Sequence, residues 1–160
     1  MAEHVEIINA TGDLRRACTA GDAEGVRRAA TQVAALLDPH TKAEEVGLFS
    51  VMAEEDEFAD HIHSLCGEHT TLDGLLAEVA AGAYDRVTAF EDALRHHIDR
   101  EDNGLFPAAA IALSGPDWER VAAAEADNRL DHCHPHDQDK DNHQPHPHDH
   151  AHHHGDLRDP

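Results

Sequence analysis

One ten-residue pattern occurs twice. HTKAEEVGLF at 40–49 returns in register as HIDREDNGLF at 97–106. Both copies place Glu four residues after His and close on Gly-Leu-Phe. Each copy is preceded by a Glu-His pair, Glu3-His4 for the first and Glu68-His69 for the second. A duplicated segment of this kind predicts two matched halves, and its polar residues decide what those halves enclose.

The surrounding residues predict helices. Ala and Leu supply much of the apolar content, aromatics are 4% of the chain, and long β-branched runs are absent, a mixture that enters helices at little loss. The apolar spacing and breakers predict a first helix over 2–18, stopped at Gly21, with Ile7, Ile8, Leu14 and Cys18 inward. A second, capped by Asp22, is expected to run to about Met52 with Val33, Leu36, Leu37 and Leu48 inward. Pro39 inside it should kink it or open one hydrogen bond. A third is predicted over 58–81, its stripe Ile62, Leu65, His69, Leu72, Leu76 and Val79. A fourth should span 84–113, with Val87, Phe90, Leu94, Ile98 and Leu105 inward. Beyond Ser114-Gly115-Pro116, a short fifth helix should carry Trp118 and Val121. The expected fold is all-α: an up-down-up-down four-helix bundle, the short C-terminal fifth helix, and a disordered His-rich tail. The expected boundary is at residue 130. Residues 131–160 contain ten His, seven Asp and four Pro and almost nothing to bury.

Polar residues interrupt the apolar stripes at matching places. Val33, Leu37, His40, Glu44 and Leu48 lie at spacings of four, three, four and four, and Phe90, Leu94, His97, Glu101 and Leu105 repeat them. His69 falls on the stripe of the third helix, and His4 precedes Ile7 on the first. Residues four apart on a helix stand one above the other, so each His-x-x-x-Glu aims an imidazole and a carboxylate at one point. A lone His on an apolar face is usually a hydrogen-bonded core residue. Two core Glu with no Lys or Arg on the stripe are another matter, because a buried unpaired carboxylate costs several kcal/mol. Metal is the less costly explanation. No Cys lies near these positions, which removes Cys-rich structural zinc. Mixed imidazole and carboxylate from four helices suits a di-iron or di-manganese core, with iron favoured over manganese or zinc.

These residues resemble the hemerythrin-like, or HHE cation-binding, domain family in its bacterial form: His, His-x-x-x-Glu, His, His-x-x-x-Glu. The resemblance covers about residues 3–113. It implies a four-helix bundle with two non-haem Fe ions, an oxo or hydroxo bridge, and a site for O2, peroxide or nitric oxide. Carried over by position, the metal ligands are His4, His40, Glu44, His69, His97 and Glu101, with Glu44 and Glu101 bridging. The oxygen-carrying members have a fifth His, on the third helix. Here Leu65 and Asp73 flank His69 at four residues, so that His is missing, and Glu45 and Asp102 stand beside the two bridging carboxylates. The carboxylate-rich set points away from reversible O2 carriage. It points toward sensing, redox chemistry on peroxide or nitric oxide, or iron handling. His61 is a candidate neighbour of the metal; His63 and His96 are expected to face solvent.

The formal net charge of −21 argues against nucleic acid or an anionic membrane as partner. No apolar run spans a bilayer, the N-terminus lacks the pattern of a signal peptide, and three Cys make no disulfide framework. A cytoplasmic protein is therefore expected, with its self-association left open. The tail's imidazoles are expected to bind Ni or Zn. Metal storage or delivery is the alternative function.

Overall fold

A computed structural model describes residues 2–131. Among them every regular element is helical. Helix α1 is Ala2–Ala20, and Gly21 follows at φ 65°, a conformation glycine adopts without Cβ strain. Asp22 then caps α2, accepting the Gly25 amide at 3.0 Å. Helix α2 runs Ala23–Glu44, passes through a wide π-helical turn over Glu45–Phe49, and ends as Ser50–Met52. Pro39 does not end it. Helix α3 is Asp56–Ala80, and Gly82 beyond it has φ 115°. A 3-10 turn, Tyr84–Arg86, leads into α4, which repeats the design of α2: Val87–Arg100, a π turn over Glu101–Leu105, then Phe106–Ala112. Each copy of the sequence repeat thus widens into π geometry beside its Glu, a feature often found at functional sites.

Helix α5 differs from expectation. It is not short: Gly115–Asp131 is 17 residues long. Its second half, AAAEADNR, has no apolar stripe to mark it as helix. Val121 is buried, but Trp118 is 40% exposed. Ile8 also departs from its expected place and is exposed. Consecutive helical residues point about 100° apart, and the inward series His4, Ile7, Thr11, Leu14, Cys18 leaves no room for it.

Contacts join α1 to α2, α2 to α3, α3 to α4 and α4 back to α1, closing a helical bundle; α5 lies on α2 and its π turn. The apolar core falls into two clusters. One gathers Ile7, Leu14, Val33, Leu37, Leu72, Leu76, Phe90 and Leu94. The other gathers Leu48, Phe49, Met52, Ile62, Leu65, Leu105, Ala109 and Val121. On α2, α3 and α4 the polar stripe residues lie in sequence between the two. The fold therefore sandwiches a polar layer between dry blocks. The tail residues 132–160 lie outside the described residues. Among the described ones, no helix is long and apolar enough to cross a membrane.

Candidate metal centre

The six residues singled out by sequence meet in that layer. His4, His40, Glu44 and Glu101 bring one donor atom each within 4.8 Å of one another, and Glu44, His69, His97 and Glu101 do the same. The two groups share both carboxylates and nothing else. Glu44 turns Oε1 toward His40 Nε2 at 3.1 Å and Oε2 toward His69 Nε2 at 3.5 Å. Glu101 turns Oε2 toward His4 Nε2 and Oε1 toward His97 Nε2, both at 3.3 Å. Imidazoles within a group are also close, His4 to His40 and His69 to His97 each at 3.0 Å between Nε2 atoms.

This arrangement leaves polar atoms orphaned. All four oxygens of Glu44 and Glu101 are buried and none has a partner with hydrogen-bond geometry, although Glu101 is 0% exposed. Buried oxygens without partners are destabilising. They are also what bridging carboxylates present to a pair of cations, so donor set and geometry fit metal. In protein alone the imidazoles must supply the balancing charge. For His40, burial opposes the charged form, but the close Glu44 carboxylate, then Glu3 and Glu101, outweigh it and raise the pKa to about 9. Burial alone would raise Glu44; the imidazoles of His40 and His69 instead hold it down at about 2. His97 is likewise raised, with Glu101 and Glu68 overcoming its burial.

Each of these four imidazoles turns its other nitrogen, Nδ1, to a second carboxylate. His40 meets Glu3 at 3.1 Å, His69 meets Glu45 at 2.8 Å, and His97 meets Glu68 at 2.9 Å. His4 faces Asp102 at 3.3 Å. In the sequence these four acids stand as two partners in Glu-His pairs and two rivals of Glu44 and Glu101, and nothing along the chain gives them this role. Their doubling in both copies was the available signal. Adjacent helical residues point about 100° apart, which separates the rivals: Glu44 and Glu101 face the core, Glu45 and Asp102 the back of an imidazole. The closing Phe residues repeat as well. Phe49 stacks on His69 with ring centroids 5.5 Å apart, and Phe106 on His4 at 6.2 Å.

His61 is not among the candidate ligands. Its Nδ1 lies 3.0 Å from Arg100 Nη2, and Arg100 also bonds Ser64 and the Glu68 carboxylate. His63 and His96 are exposed, as expected. A cleft of about 490 Å³ between α1, α2 and α5 reaches His4, His40 and Glu44.

No curated protein and no solved structure shows a significant match. The model of one family does match, the hemerythrin HHE cation binding domain, over residues 1–109. That span holds both copies of the repeat, all six convergent residues and the four acids behind them. The chain therefore belongs to the hemerythrin HHE cation-binding domain family.

Proposed function

We propose that this chain is a non-haem di-iron protein whose metal pair binds, senses or reacts with O2, peroxide or nitric oxide. One observation carries the reading: two four-residue donor groups share Glu44 and Glu101, each of which presents one oxygen to each group. His4 and His40 would hold one metal, His69 and His97 the other, with the two Glu bridging. Nitrogen and oxygen donors without thiolate suit iron among first-row metals. Iron so held supplies a redox-active Lewis acid able to take a diatomic ligand or peroxide.

The chain's own residues do the rest. The two bridging Glu fix the separation of the metal positions. Glu3, Glu45 and Glu68 accept a hydrogen bond from the Nδ1–H of His40, His69 and His97, leaving each of those Nε2 lone pairs directed inward. Phe49, Leu48 and Leu105, buried beside the layer, exclude water from it. Absorption spectra of the iron-loaded chain test the reading. Charge-transfer bands that change between the oxidised and reduced protein, and shift on adding nitric oxide or peroxide, are expected. Two bound irons whose spectrum ignores both treatments would contradict it.

A second reading, metal storage or delivery, is favoured by the ten His within 131–160. On that reading the tail collects Ni, Zn or iron and the bundle serves trafficking. Oxidation-state-dependent bands in the core separate the two.

A further inference from the structure

The two halves of the centre are related by the repeat, but they are not braced alike. His4 corresponds to His69, His40 to His97, Glu3 to Glu68, and Glu45 to Asp102. In each half the acid before the first His backs the second His: Glu3 backs His40, and Glu68 backs His97. The acid after the bridging Glu crosses to the other half: Glu45 backs His69, and Asp102 backs His4.

Around His69 and His97 this bracing is tight. Both contacts are short, at 2.8 and 2.9 Å. Glu68 is itself pinned by Arg100, which Ser64 and His61 hold in turn. Phe49 seals the His69 ring and is almost fully buried. Around His4 and His40 each contact is longer, at 3.3 and 3.1 Å, although Asp102 is the less exposed of its pair, 28% against 37% for Glu45. Asp102 is one methylene shorter than Glu45; it stands 3.3 Å from His4 Nδ1, and neither atom makes a hydrogen bond. Glu3 is 75% exposed against 23% for Glu68, so water competes for it. The 490 Å³ cleft touches three of this position's four donors. The groove on the other side touches His69 alone among the donors.

Resting on the two-metal reading above, we propose that Glu45 and Glu68 are positioning residues that make the His69–His97 position the tightly held one. Glu3 and Asp102, in the equivalent places, hold the His4–His40 position loosely, so its metal leaves first. The physical basis is ligand basicity and orientation. A carboxylate on Nδ1 fixes the tautomer and strengthens the opposite nitrogen as a donor, and loss of such a partner commonly lowers metal affinity about 10- to 100-fold.

Ferrous iron, loaded anaerobically into the full-length chain and withdrawn by excess ferrous chelator, tests the order. The Glu44→Ala/Glu101→Ala variant measures what the tail alone releases. After that correction, two phases of one iron each are expected. Glu68→Ala and Glu45→Ala should each speed the slow phase about 10-fold or more. Glu3→Ala should leave the slow phase unchanged. Glu68→Gln keeps an acceptor of the same shape and should recover part of the slow release, which separates positioning from loss of fold. Two irons leaving in one phase, a slow phase indifferent to both Glu68 variants, or acceleration by Glu3→Ala equal to that by Glu68→Ala would overturn the proposal. Fewer than two irons bound at the outset would overturn the two-metal reading instead.

Discussion

At the scale of single residues, neighbouring acids carry opposite assignments. Glu101 is sealed in the core between two imidazoles, whereas Asp102 backs one imidazole from outside. On the two-metal reading, Glu101→Ala and Glu44→Ala should each abolish binding of both core metals, because each carboxylate would serve both positions. Asp102→Ala should leave at least one metal in place. Metal content of the purified variants checks this, and equal losses from Asp102→Ala and Glu101→Ala would contradict it. The same residues set a pH dependence for chelator-treated protein. The folded pKa of His40, about 9, lies above its ordinary 6.5, so the stability it contributes is complete below 6.5 and lost as pH rises through 9. Glu44, at about 2 against 4.5, contributes stability that is complete above 4.5 and lost as pH falls through 2. Both shifts include the His40–Glu44 contact, to which Glu3 and Glu101 add for His40 and His69 adds for Glu44, so the two contributions overlap and do not sum. Melting temperature should therefore peak between about pH 4.5 and 6.5, and His40→Ala should flatten the alkaline limb. An alkaline limb unchanged in that variant would show that other groups govern it.

Among the elements, α2 and α4 are near copies, yet their surroundings differ. The glycines of the two Gly-Leu-Phe motifs show it. A Cβ on Gly47 would come 2.8 Å from Glu125 Cγ on α5, whereas one on Gly104 would meet nothing within 4 Å. Gly104→Ala should be neutral or stabilising by about 0.5–1 kcal/mol through helix propensity. Gly47→Ala should lose about 1–2 kcal/mol by overpacking against α5. Most of that loss should vanish in a Glu125→Ala background. Thermal or denaturant melts of the four variants check the pattern, and equal effects at the two glycines would mean that α5 does not seat there. The stripes of α2, α3 and α4 were legible in sequence because apolar periodicity reports burial directly, and Asp22 and Gly82 were legible as punctuation. The π turns were not. A π turn adds one residue to a helical turn without changing residue type, so apolar spacing gives no sign of it, and only the repeated glycine marks the place. The length of α5 was hidden for a related reason, since Ala and Glu make helix without making a stripe.

For the molecule as a whole, the duplication did most of the work: two copies of His-x-x-x-Glu named four donors, and the stripes of α1 and α3 added His4 and His69. All six converge. The bracing acids were visible as residue types but not as partners, because Nδ1 contacts run between helices and across the two halves, where spacing along the chain says nothing. The ten His from 132 onward would complicate any metal count on the full-length protein, since imidazole is a general ligand for first-row metals. The central claim, a pair of metals held by six residues of the bundle, is therefore tested most directly by elemental analysis of the chain ended at Leu130, loaded with iron and freed of excess. The account predicts about two irons per chain, both lost in Glu44→Ala. One iron or fewer, or two irons retained by Glu44→Ala, would contradict it.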